Sequence, residues 1–164
     1  MIEPLNSPVE VGLRALILLG TTYPRSFDLG AMVLMDHALL HSGDLGGPES
    51  LHPDLPNRSG ELGIKRGIYE DGLQVMARAG LVEIQIQPSG IYYSATESGA
   101  SFIDLLEADY VDRLLERAIW LNAESVRLGL DAIRERLRSV LGRWTEEFIP
   151  HVPAPRNGEV VSSE

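Results

Sequence analysis

The chain opens on a block whose apolar positions crowd nearly every face of a helix. Val9 to Gly20 is interrupted only by Glu10 and Arg14, and Ser7-Pro8 supplies an N-cap followed by a proline suited to a first turn. A helix of that pattern is central and buried. Thr21 to Ser26, with Pro24, breaks it. A second helix is predicted from about Asp28 to His41 on Leu29, Met32, Val33, Met35, Ala38, Leu39 and Leu40, ending at Ser42-Gly43.

After an irregular stretch, Ser59, Glu61 and Leu62 open a third helix whose stripe is Ile64, Ile68, Val75 and Ala79 and whose end is Gly80. The period then changes to two: Val82, Ile84 and Ile86 share one face, and Ile91 to Ala95 repeats the alternation after Pro88-Ser89-Gly90. Together these predict a mainly α, α+β fold: a winged helix-turn-helix with a two-stranded wing, Ile64 to Ala79 being the candidate recognition helix. That architecture reads DNA in some proteins and docks proteins in others, so it does not decide function.

Beyond the wing, Thr96 caps a helix over Glu97 to Leu106, and a further helix runs from about Asp109 to Ala123 on Tyr110, Leu114, Leu115, Ala118 and Leu121. Val126, Leu130, Ile133, Leu137, Val140 and Trp144 then recur at alternating spacings of four and three, the signature of a narrow apolar seam. Such a seam must be buried on its own domain or on another chain, with Trp120 and Trp144 as candidate anchors. Arg134, Arg136, Arg138 and Arg143 edge the seam and are expected to pair with Asp131, Glu135 and Glu146. Pro150 to Glu164 lacks periodicity and is expected to be a disordered tail. The expected organisation is a winged helix-turn-helix domain over 1–106, a C-terminal helical extension over 107–149 that carries the candidate interface helix, and the tail over 150–164.

A length of 164 residues suits one compact core. Although 44% of residues are hydrophobic, no apolar run reaches the length of a membrane span, and the start, MIEPLNSPVE, has no basic signal-peptide region. The absence of cysteine excludes disulfides and thiolate metal sites, and the expected location is cytoplasmic. A net charge of −10 sets the chain against independent DNA binding, which draws on cations to release counterions. Charge is uneven: Leu81 to Glu107 has four acids and no Lys or Arg, whereas Arg113 to Arg143 has seven arginines.

Chemically, the richest segment is Leu40 to Arg66, which places two histidines, several Gly and Pro and a basic cluster between two apolar helices. His37 and His41 stand one helical turn apart, near Asp36, Asp44 and His52, but no third ligand follows at a recognised metal spacing, so neither metal nor other cofactor is expected. No nucleophile elbow places the available Ser, His and Asp, and the protein is not expected to be an enzyme. Arg58, Lys65 and Arg66 flank the start of the third helix and are candidate DNA or phosphate contacts, with pairing to Glu61, Glu70 or Asp71 as the ordinary alternative.

Three blocks carry a resemblance: SPVEVGLRALILL at Ser7 to Leu19, HSGDLGGPESLHPDLPNRSGEL at His41 to Leu62, and GLQVMARAGLVE at Gly72 to Glu83. In this order they resemble the middle-component family of ABC-three-component systems, bacterial conflict or defence operons to which Lamassu looks related. The match covers about the first two thirds of the chain. The resemblance implies a small non-catalytic winged-helix adaptor that docks an SMC-like ATPase, as kite proteins do, beside a separate effector subunit of the same operon, in antiphage or anti-plasmid defence. DNA would be touched only within the complex, with no membrane and with homodimerisation as an option. It further implies a shared role for the block His41, Ser42, Gly43, Asp44, Pro48, Ser50, Leu51, His52 and Pro53. His41, Ser42, Asp44, Ser50, His52, Arg58 and Glu61 are then the candidate docking residues, with loop architecture as the competing role. The alternative function is a homodimeric transcriptional regulator that places Ile64 to Ala79 in a major groove.

Overall fold

The computed structural model describes residues 7–52 and 58–148, with side chains over 7–52 and 66–139. Helix α1 (Pro8–Thr21) starts where the Ser7 hydroxyl accepts the Glu10 amide at 3.3 Å, with Pro8 in the first turn. Its residues Val11 and Ala15 to Leu19 are almost wholly buried, as an all-round apolar helix requires. A two-residue strand, β1 (Phe27–Asp28), leads into α2 (Leu29–Leu40), where the Asp28 carboxylate accepts the Ala31 amide at 2.7 Å. A short 3₁₀ turn, Ser42–Leu45, follows.

Helix α3 (Arg58–Arg78) packs on α1 and α2. Two glycines allow its closest approach to α1: a Cβ on Gly72 would lie 2.7 Å from the Gly12 amide nitrogen, closer than any side chain tolerates. The buried stripe differs from the expected one. It consists of Tyr69, Leu73 and Met76, while Ile68 and Val75 are only half-buried and Ala79 is exposed; the Ile64 side chain lies outside the described residues. Gly72 meets the α1 backbone, which turns the neighbouring Tyr69, Leu73 and Met76 into the core in place of the branched stripe.

Strands β2 (Val82–Gln87) and β3 (Gly90–Ala95) form the expected hairpin, but β1 joins it, so the expected two-stranded wing is an antiparallel three-stranded sheet in the order β1-β3-β2. Two residues are too few to show an alternation in sequence. Phe27 pairs with Tyr93, and both are buried. Along the hairpin, burial falls from Val82 through half-buried Ile84 to Ile86, which is 84% exposed.

Helix α4 (Glu97–Ile103) is capped by the Thr96 hydroxyl, which accepts the Gly99 amide at 3.0 Å, and stops short of Leu106. Helix α5 (Asp109–Leu128) outlasts its expected end, and α6 (Leu130–Phe148) follows after a break at Gly129, whose φ of +84° few other residues adopt. That break corrects the seam. Val126 belongs to α5 and is 73% exposed, whereas Ile133 and Leu137 of α6 are buried in this chain's own core and so are withheld from any other chain. Leu130 is half-buried; the side chains of Val140 and Trp144, and the expected tail, lie outside the described residues. Val111, Leu114, Ala118 and Leu121 of α5 join the same hydrophobic cluster as α1 to α3.

Candidate functional site

Residues 41–52 form a tied knot on the surface of α2 and α5. The Ser42 hydroxyl donates to the Pro48 carbonyl at 2.8 Å, the Gly43 amide donates to the Ser50 hydroxyl at 3.1 Å, and the Leu51 and His52 amides both donate to the Leu40 carbonyl. From α5, Arg117 donates through Nε and Nη2 to the Glu49 carbonyl at 2.9 and 2.7 Å, and a Cβ on Gly47 would lie 2.5 Å from the Trp120 ring. Trp120 therefore packs within its own chain. One ring nitrogen of His52, Nε2, meets the Tyr110 hydroxyl at 3.0 Å.

This geometry sorts the candidate docking residues. His41 and Ser42 are buried and their side chains present no contact surface: the Ser42 hydroxyl closes the knot on Pro48, and the His41 ring packs with those of His37 and His52. Asp44, Ser50 and His52 are half-buried, and Ser50 and His52 make the internal bonds just given. Exposure falls instead on Gly43, Gly46 and Glu49. The side chains of Arg58, Glu61 and Lys65 lie outside the described residues.

Beneath the knot is a polar layer. Arg14 of α1 donates through Nε and Nη2 to the two carboxylate oxygens of Asp36 in α2, at 2.9 and 3.2 Å, with 3% and 0% of the side chains exposed. Burial works against the Arg14 guanidinium, yet the charge and hydrogen bonds of Asp36 leave it raised above its ordinary value. The fully buried Tyr69 hydroxyl, which finds no hydrogen-bond partner among the described residues, is pushed well up, first by burial and then by Asp36. Burial also raises Tyr110. The rings of His37 and His41 lie 4.6 Å apart and that of His52 stands edge-on to His41 at 6.4 Å, so the structure brings all three histidines into one row. Among the described residues no group of three or more His, Cys, Asp or Glu is placed to hold a metal ion. The layer's physical effect is to fix α1, α2 and the knot in one register.

No motif in the sequence marks Arg14, Asp36, Tyr69 and Arg117 as a set. A signal was present: opposite charges inside two apolar helices are seldom buried without each other.

Away from the residues of the knot, Arg66 is exposed and opens onto a groove of about 690 Å³ that Arg134 and Arg138 of α6 also line. The candidate phosphate contact and the arginines edging the seam are thus one surface. Arg134 and Arg138 reach Asp131 and Glu135 only at 3.7 and 3.9 Å.

A model of the ABC-three component (ABC-3C) system Middle Component 2 family matches residues 4–147. The chain belongs to that family. No curated protein and no solved structure matches it. For this middle component the matched span takes in α5 and most of α6, so the family signature extends well past the sequence blocks that end at Glu83. No helix among the described residues is long and apolar enough to cross a membrane.

Proposed function

We propose that this middle component is a non-catalytic winged-helix adaptor, docking an SMC-like ATPase and its effector within one bacterial defence complex. The observation that carries this reading is the family match over residues 4–147, which embraces nearly every element of the fold. The element order supports the winged-helix part: helix, short strand, two helices and a hairpin whose second strand pairs with the first short one is the arrangement of that architecture. A rigid surface knot held by Arg117 and Trp120 suits docking, since loops fixed by a scaffold make well-defined contacts.

DNA contact, in this reading, occurs only within the assembled complex. The hairpin carries no Lys or Arg, and the net charge of −10 opposes approach to a duplex. An operator-binding regulator would need the outer face of α3, but near Arg66 that face is flanked by α6 and β3.

Deleting the gene from its operon tests the proposal. The ATPase and effector should no longer co-purify, and protection against phage or plasmid should be lost and restored by complementation. An intact ATPase–effector complex in the deletion strain would refute it.

A further inference from the structure

The groove beside α3 has a built chemical pattern. Cross-strand pairing places Ile84 opposite Tyr93 and Ile86 opposite Ile91, on one face of the hairpin. Tyr93 is 3% exposed, Ile91 49% and Ile86 84%, so an apolar strip begins in the core and runs outward past the groove to open solvent. Leu34 of α2 extends its base. Facing the strip are three guanidinium groups drawn from two helices, Arg66, Arg134 and Arg138. The carboxylates of Asp131 and Glu135 that approach the latter two are themselves highly exposed, and such loose surface pairs are readily exchanged for a better partner.

We propose that this groove holds an acidic amphipathic segment of a protein partner, its apolar side on the exposed Ile86 and Ile91 and its carboxylates on Arg66, Arg134 and Arg138. An exposed aliphatic pair beside a cationic rim complements a segment that is apolar on one side and acidic on the other. A nucleic acid backbone fits less well. Asp28 and Glu70 also line the groove and would repel a continuous row of phosphates, while a peptide can offer them a donor. This face is distinct from the 41–52 knot, and the inference rests on the adaptor reading only in taking the occupant to be protein.

The test is selection of a random peptide library, displayed on phage, against the full-length protein in isolation, so that its outcome is independent of whether operon partners co-purify. Recovered peptides should place Asp or Glu among Leu, Ile or Phe at helical spacing. Arg134→Glu with Arg138→Glu should weaken them about tenfold or more, Ile86→Ser should also weaken them, and a mixed-sequence DNA duplex should not compete. If the double reversal perturbs α6 by circular dichroism, Arg134→Gln with Arg138→Gln gives the same reading with less repulsion. The proposal fails if no peptide is enriched, if recovered peptides lack acids or bind the variants equally, or if the duplex competes. A self-associating wild type that the same variants turn monomeric would assign the groove to a second copy and also overturn it.

Discussion

Arg14 and Asp36 are worth little as an isolated attraction but a great deal as a matched pair, because removing either leaves a buried charge uncompensated. Asp36→Asn is expected to lower stability by about 3–5 kcal/mol in urea unfolding, whereas Arg14→Met combined with Asp36→Leu recovers much of the loss. A double variant no more stable than Asp36→Asn would show that the pair is not the source. Tyr69 sets a different limit. A tyrosine whose neutral form the fold favours contributes its stability in full below its ordinary value near 10 and loses it as pH rises through the raised folded value. Thermal midpoints should therefore fall as pH climbs beyond about 10, and less steeply in Tyr69→Phe. At neutral pH that substitution removes a buried hydroxyl without a partner among the described residues and should lie within about 1 kcal/mol of wild type, or above it.

At the scale of elements, contact between α1 and α3 depends on absent side chains. Gly72→Ala puts a methyl into the α1 backbone at Gly12 and should cost roughly 1–3 kcal/mol, read as a lower urea midpoint. An unchanged midpoint would mean the helices part without penalty. The knot depends on α5: Arg117→Ala or Trp120→Ala should speed amide hydrogen exchange over residues 42–52 while the α1 core stays protected, since each removes a tether to Glu49 or Gly47. Protection unchanged in the knot would assign its rigidity to its internal bonds alone. The legible part of the fold lies in α1 and α2, apolar blocks opened by the caps Ser7 and Asp28, and in the hairpin, where period two holds along both strands. The alternating seam misled because its spacing carries through Gly129 without a gap, although the backbone turns there. Strand β1 is too short to have a period, and the groove was hidden because Arg66 and Arg134 meet only through packing of α6 beside α3. For the site, His41, Ser42 and His52 stood out as a dense cluster, yet density alone could not tell buried scaffold from surface.

The whole molecule is acidic, sets Arg66, Arg134 and Arg138 beside an apolar strip, and carries a tied loop over residues 41–52. A protein with two such faces and a net charge of −10 is suited to holding proteins together more than to gripping duplex. The adaptor account is tested most directly by tagging the protein in its native operon, purifying it gently and identifying its companions by mass spectrometry. Recovery of an SMC-like ATPase in fixed proportion is the predicted result. Recovery of a lone homodimer that shifts a specific promoter fragment would contradict the account and favour a regulator.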